Sequence, residues 1–324
     1  MDELLRYRNV VDQFDFRKGF IIDALVEEGI DVDSIKWIIG RGGLTYPLES
    51  GVYRINNQML KHARDGVLGQ HASNLGPLLA DYIAQQIPNA KAFIADPVVT
   101  DELLDVARIS GHPKFERRSI FHALNQKATA RMHAKAMGKK YEELNLVVVH
   151  LGGGISVGAH KKGRVVDVNN AFDGEGPFSP ERSGTLPVGQ LIGICFSGKY
   201  TEDQVRRMVV GEGGYVGYLG TNSAKEVEER ATSGDEKARL IQEALLYQVS
   251  KLIGEMAVVL EGEVDGILLT GGLAFSKNVE KGIRQKAGFL APIYSYPGED
   301  ELQALAMNAL LVANGEVEVK EYDK

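Results

Sequence analysis

Two arginines set among glycines, an all-glycine turn and a histidine beside apolar residues are the places where this sequence could do chemistry. In VVVHLGGGISVGAHKKGRVVDV the turn is Gly152, Gly153 and Gly154. Glycine lets backbone N–H groups converge and lets a ligand come close. Such a nest suits phosphate oxygens, and the same turn also serves as a plain hairpin with no ligand. It is neither a Walker A loop nor a dinucleotide fingerprint, because no helix follows and no Lys-Ser/Thr closes it. In DGILLTGGLAFSKN an apolar strand runs into Gly271 and Gly272 ahead of a helix. That junction is a ligand site at a strand end or an ordinary connection. GRGGLTYPLESGVY holds Arg41 just past a strand, and DGEGPFSPERSGTLP holds Arg182 in a backbone-restricted loop. An arginine so placed grips a carboxylate or phosphate with two parallel hydrogen bonds; otherwise it is solvated. Asp96, before Pro97, either organises a metal or caps a turn. His122 is a catalyst or a satisfied half-buried ring. No Ser/His/Asp or Cys/His set can be assembled, and Cys195, in the apolar IGICFSG, is expected in the core.

These residues need elements to hold them. The first 35 residues read as helix, with Phe14, Phe16, Phe20, Ile21, Leu25 and Val26 on one stripe. Residues 37–39 and 92–95 read as short strands, 57–86 as two helices, and 119–137 as a helix. From residue 146 three strands follow, 146–151, 155–160 and 165–168, with Lys161-Lys162-Gly163 as a hairpin turn. A long helix at 235–260, a strand at 266–270, a helix from Ser276, a strand at 292–296 and a helix at 299–313 complete the chain. Alternating strands and helices make this an α/β protein. The division falls at 144/145: residues 1–144, completed by the C-terminal helix at 298–324, form one domain, and residues 145–297 the other.

The chain has 324 residues, enough for two domains. Hydrophobic residues are 44% and charged residues 25%, a globular balance rather than a disordered one. With 37 Lys and Arg against 44 Asp and Glu the net charge is −7, so no global basic surface is present for nucleic acid or an anionic membrane. No apolar run is long enough to span a bilayer. One cysteine excludes a disulfide framework and fits a cytoplasmic location.

Taken in order, the clusters resemble the butyrate kinases. HLGGGISVGAHKKGRVVDVNNAFDGEGPFSPERSGTLP carries most of the likeness. GRGGLTYPLESGVYRIN, HASNLGPLLA, IADPVVTDELLDVARISGHP, FERRSIFHALNQK, ILLTGGLAFSKN and YPGEDELQALAMNALLV extend it over nearly the whole chain. The resemblance implies the acetate kinase family and the two-domain fold shared by sugar kinases, actin and ribonuclease H. It implies butyrate and ATP giving butyryl phosphate and ADP, with Mg²⁺, and a homo-oligomer. Gly152, Gly153 and Gly154 then resemble a phosphate loop, and Gly271, Gly272 and Asn278 an adenosine motif. Arg41 and Arg182 match arginines that hold the acyl substrate and the transferring phosphoryl group. Asp96 matches a carboxylate near the magnesium, and His122 a histidine steadying the phosphoryl group. Glu301 matches an acidic magnesium-site residue, with Glu299 and Asp300 close by.

One departure stands out. The resembled family opens with a strand, a Gly/Ser-rich first phosphate loop and a return strand, and residues 1–35 hold no such pattern. The expectation is a first domain lacking those strands, edges of Ile38, Ile39, Phe93 and Ile94 left unpaired, and impaired folding or turnover. The alternatives are a kinase of branched or other short-chain acids, a nucleotide-binding protein without turnover, and a purely structural subunit.

Overall fold

The computed structural model describes residues 6, 7 and 9–324. The chain divides into two compact units, Met1–Asp101 with Asp300–Lys324, and Glu102–Glu299. The helix expected over the first 35 residues is α1, Phe14–Glu27, flanked by 3₁₀ turns at Val10–Gln13 and Val32–Ser34. Residues 1–5 and 8 of that expectation lie outside the described residues. The apolar stripe does not make a core face. No residue of α1 is buried, and Phe20 and Val26 are 66% and 68% exposed. Phe14 alone of its aromatics turns inward, edge-on to Tyr82 at 5.8 Å.

The first unit continues with β1 (Trp37–Arg41), β2 (Val52–Arg54), α2 (Asn57–Asp65), α3 (Leu75–Gln86) and β3 (Lys91–Ala95). It closes with α12 (Glu301–Ala313) and β9 (Val319–Lys320). Its sheet runs β1-β3-β2-β9. Phe93 and Ile94 are therefore not edge residues: β3 pairs with β1 on one side and with β2 on the other. The glycines around Arg41 have a packing reason. A Cβ on Gly40 would lie 2.6 Å from the Gly76 carbonyl oxygen, and one on Gly76 would lie 2.0 Å from that of Arg41. Bare backbones let α3 press directly on β1.

The second unit holds α4 (Asp105–Arg108), α5 (Ala123–Ala136), β4 (Asn145–Leu151), β5 (Ile155–Lys161) and β6 (Arg164–Val168). It continues through α6 (Val188–Cys195), α7 (Glu202–Val209), α8 (Gly214–Leu219), α9 (Ala224–Thr232) and α10 (Glu236–Val259). It ends with β7 (Gly266–Gly271), α11 (Lys277–Ala287) and β8 (Ile293–Pro297). The sheet order is β6-β5-β4-β7-β8, antiparallel at β4–β5–β6 and parallel at β4–β7–β8. Lys162 and Gly163 both take positive φ, the backbone of a type I′ hairpin turn. The change of pattern near residue 145 is the start of β4, and residues 102–144 belong to this same unit. Helix α5 begins at Ala123 rather than 119, because the Ile120 carbonyl accepts from Ala171 N at 2.9 Å and holds that stretch extended. Cys195 is exposed, not in the core: α6 is an apolar helix on the surface, and the adjoining Phe196 is 87% exposed.

Strand parity sorts the core. Val147, Val149 and Leu151 of β4 join the large cluster with α10, while Leu146 and Val148 face α5. At the strand's end Gly271 of β7 takes φ +88°, and a Cβ there would lie 2.4 Å from the Leu151 carbonyl oxygen. The three nearest atoms are all Leu151 backbone, so nothing can rotate away. Gly271→Ala is expected to cost at least about 2 kcal/mol, from the left-handed conformation and the contact together. A urea midpoint unchanged from the parent would contradict this.

Candidate functional site

In the second unit, β4 runs buried from end to end into the Gly152-Gly153-Gly154 turn. Its last inward-facing residue on the α5 side is His150, 1% exposed, by the same parity as Leu146 and Val148. The turn closes on itself through Gly152 N to the Gly154 carbonyl at 3.1 Å. Gly152 and Gly154 leave room for neighbours. A Cβ on Gly152 would lie 2.8 Å from His150 Nε2 and 3.1 Å from Glu299 Oε1. A Cβ on Gly154 would lie 2.3 Å from Arg182 Nη1. The turn is therefore threaded between a histidine, a carboxylate and a guanidinium.

His122 stands at the N-terminus of α5 and lies flat against His150, ring centroids 3.7 Å apart and planes within 10°. His150 Nδ1 meets Asn125 Oδ1 at 2.8 Å, and Nε2 lies 3.4 Å from Glu299 Oε1. His122 Nδ1 meets Ser156 Oγ at 2.8 Å.

Arg182 sits in the loop between β6 and α6. Ser179 pins that loop to the turn by donating to the Gly153 carbonyl at 2.5 Å and accepting from Arg182 N at 3.2 Å. Asn169 ties its start to β5, accepting from Val157 N at 2.8 Å. Arg117 ties its middle, reaching Asp167 at 2.9 Å and Glu175 at 3.3 Å. Arg182 Nη1 donates to the Ala171 carbonyl, and the guanidinium lies 5.6 Å from the Phe172 ring. Among the described residues it has no carboxylate at ion-pair distance. Burial pushes its pKa below the usual guanidinium value, partly opposed by Glu181.

At the far end of β7, Gly271 and Gly298 exchange hydrogen bonds of 3.1 and 3.0 Å. A Cβ on Gly272 would meet nothing within 4 Å, so no packing demand explains that glycine. Asn278, in the first turn of α11, donates to Glu228 Oε1 at 2.5 Å.

The first unit holds the other expected residues. Arg41 ends β1 and pairs with Glu301 at 2.9 Å. Glu301 opens α12, whose N-terminus Asp300 caps through Gln303 N at 2.9 Å. Asp96 takes φ +36° just past β3 and is 2% exposed. Its carboxylate accepts from Ser50 Oγ at 2.6 Å and Gly51 N at 3.1 Å. Among the described residues no group of three or more His, Cys, Asp or Glu could enclose a metal. Mg²⁺ does not require one: it keeps water and is held by one or two carboxylates plus substrate phosphates. Asp96 and Glu301 are carboxylates of the right chemistry for that.

Residues 112–290 match the acetokinase family. A butyrate kinase of Clostridium acetobutylicum is 54% identical over 321 residues, covering 99% of this chain and 90% of that one. The chain belongs to the acetokinase family.

Among solved structures, a propionate kinase from Francisella tularensis superposes with TM-score 0.74 at 20% identity, covering 90% of this chain and 83% of that one. An acetate kinase from Porphyromonas gingivalis gives 0.73 at 17%, covering 86% and 77%. At such identity the likeness speaks to fold, and the two sheets have the actin-like, sugar-kinase architecture. Within this acetokinase chain the structure brings His122, Arg182 and the glycine turn into one neighbourhood. It pairs Arg41 with Glu301 in the first unit, while Glu299 belongs to the second. It also adds His150, which the motifs alone did not single out, and places Glu299, named beside Glu301 in the sequence, at the His150 ring. The signal for His150 was available: it is the one polar side chain in the strand run Leu146–Leu151.

Proposed function

We propose that this acetokinase-family chain transfers the γ-phosphoryl group of ATP to the carboxylate of butyrate, reversibly, giving butyryl phosphate and ADP. The observation that carries this is Arg182: a desolvated cation with no carboxylate partner among the described residues, pressed against a glycine turn. The 54% identity to a butyrate kinase supports the acyl group. A carboxylic acid ionises at a pKa of about 4–5, so the nucleophile is ready at neutral pH and no general base is needed. A butyrate oxygen forms the new P–O bond while the bond from the γ-phosphorus to the bridging oxygen breaks, and its electrons leave with ADP. The task left to the protein is to bring two anions together, by positioning and charge neutralisation.

In this proposal Arg182 and Arg41 receive the carboxylate and the phosphoryl group in flight. Gly152, Gly153 and Gly154 offer backbone N–H groups to phosphate. His122 and His150 steady the equatorial oxygens. Gly271, Gly272 and Asn278 serve the adenosine end, for which Asn278 would release Glu228. Asp96 and Glu301 would hold Mg²⁺, which supplies positive charge to the phosphates when bound. The protein is further proposed to be cytoplasmic and a homo-oligomer; no helix among the described residues is long and apolar enough to cross a membrane.

The test is a panel of acetate, propionate, butyrate and isobutyrate, with acyl phosphate trapped by hydroxylamine. One methylene is worth roughly 10–200-fold in kcat/KM. Butyrate is expected to exceed acetate by about 10² or more. A flat panel overturns the acyl assignment, and ADP binding without acyl phosphate would favour a nucleotide-binding protein.

A further inference from the structure

The buried face of α5 is polar where apolar side chains would be expected. Asn125, Gln126, Thr129 and His133 repeat at helical spacing and all are buried against the sheet. Such groups persist only when fully hydrogen-bonded. From β5, Ser156, Gly158 and His160 face them by strand parity. A Cβ on Gly158 would lie 2.6 Å from Gln126 Oε1, so this glycine is what lets the glutamine lie across the strand.

The direction of each hydrogen bond follows from one fixed acceptor. The Ser156 carbonyl can only accept, so the Gln126 atom 3.1 Å from it is the amide nitrogen. Gln126 Oε1 then faces His160 Nε2 at 2.9 Å, which must carry the hydrogen. His160 Nδ1 accepts from the Tyr141 hydroxyl at 2.6 Å. Complete burial, helped by Lys127 and Arg131, holds His160 well below the usual imidazole pKa, so it is neutral and this pattern is the one it can adopt. The second hydrogen of the Gln126 amide goes to Ser156 Oγ at 2.8 Å. Ser156 is fully buried, and its hydroxyl hydrogen has one polar partner left among the described residues, His122 Nδ1 at 2.8 Å.

We infer that Tyr141, His160, Gln126 and Ser156 form a one-way hydrogen-bond chain that fixes His122 as the Nε2–H tautomer. Resting on the role proposed above for His122, it makes these four positioning residues: they present a ring N–H donor, the group needed to meet a phosphoryl oxygen. An Nδ1–H tautomer would leave the Ser156 hydrogen buried without an acceptor, which is unfavourable.

The test uses the full chain labelled with ¹⁵N in histidine, at about pH 8, where an ordinary imidazole is neutral. The His122 signals are assigned by their loss in His122→Gln. The parent is expected to show the Nε2–H pattern. Ser156→Ala should give a tautomer mixture, with kcat down about tenfold and both KM values within about twofold. Ser156→Thr, which keeps the hydroxyl, should restore the parental pattern. Gln126→Leu removes the donor that turns the hydroxyl toward His122, and gives a second route to the mixture if a Ser156 variant folds poorly. An Nδ1–H pattern in the parent, or an unchanged pattern in Ser156→Ala and Gln126→Leu, overturns the inference. If the patterns behave as expected but His122→Ala turns over like the parent, the chain of hydrogen bonds stands and the role of His122 fails.

Discussion

Arg182→Ala is expected to lower kcat by roughly 10²–10³, a loss of about 3–4 kcal/mol of transition-state stabilisation. The guanidinium has lost much of its water, and among the described residues no carboxylate lies at ion-pair distance, Glu181 offsetting its charge only in part. Its protein partners are the Ala171 carbonyl and the Phe172 ring. Such a cation contributes little to folding and much to an incoming anion, because low local dielectric strengthens the attraction. Activity and stability should therefore separate: turnover collapses while the melting temperature shifts little. Arg182→Lys should recover only part of the loss, since an ammonium cannot offer the planar two-point grip. Turnover of Arg182→Ala within tenfold of the parent would remove Arg182 from the phosphoryl-transfer role.

What could be read before the structure follows from the range of the forces involved. The β4–β5–β6 unit was legible because it is local: one apolar run, a turn, an alternating return and a Lys162-Gly163 hairpin. Strands β2 and β9 were not, because they are three and two residues long and owe their pairing, Val52 with Val319, to contact across the chain. The α1 stripe misled because an apolar face has no core value until something covers it, and α1 buries none of its residues. Cys195 misled for the same reason, lying in an apolar helix at the surface. At the site, Gly154 and Arg182 each stand out in the sequence, 28 positions apart. That one makes room for the other is a packing fact. The Arg41–Glu301 pair joins residues 260 apart in the sequence, and no spacing rule reaches that far. Strand parity was the one unused local signal: carried one residue past Val149, it puts His150 on the α5 face, where His122 meets it.

Glu102→Ala and Lys127→Met are each expected to destabilise the second unit by about 3–5 kcal/mol. Lys127 Nζ lies 2.9 Å from Glu102 Oε2, with side chains only 1% and 5% exposed. The same carboxylate oxygen accepts from Val165 N at 2.8 Å, and the ammonium donates to the Gly163 carbonyl at 3.2 Å. The pair thus joins α5 to the β5–β6 hairpin. Removing either member takes a charge-paired hydrogen bond away from the other where the side chains are almost fully buried, and that penalty exceeds the value of the bond itself. A domain's whole stability is only about 5–15 kcal/mol, so either change should be plain in a denaturant midpoint. The double variant Glu102→Leu/Lys127→Met leaves no charge behind. Its loss should be clearly smaller than the sum of the two single losses, by about 1–3 kcal/mol of coupling. Single variants within about 1 kcal/mol of the parent would mean that water or a shift of the β5–β6 hairpin relieves the stranded charge. The outcome bears on the site as well, because α5 carries His122, Asn125 and Gln126 on the face beside Lys127. If the ion pair holds that helix in register, the single variants should also lose the single-tautomer signal of His122, and the double variant should keep more of it.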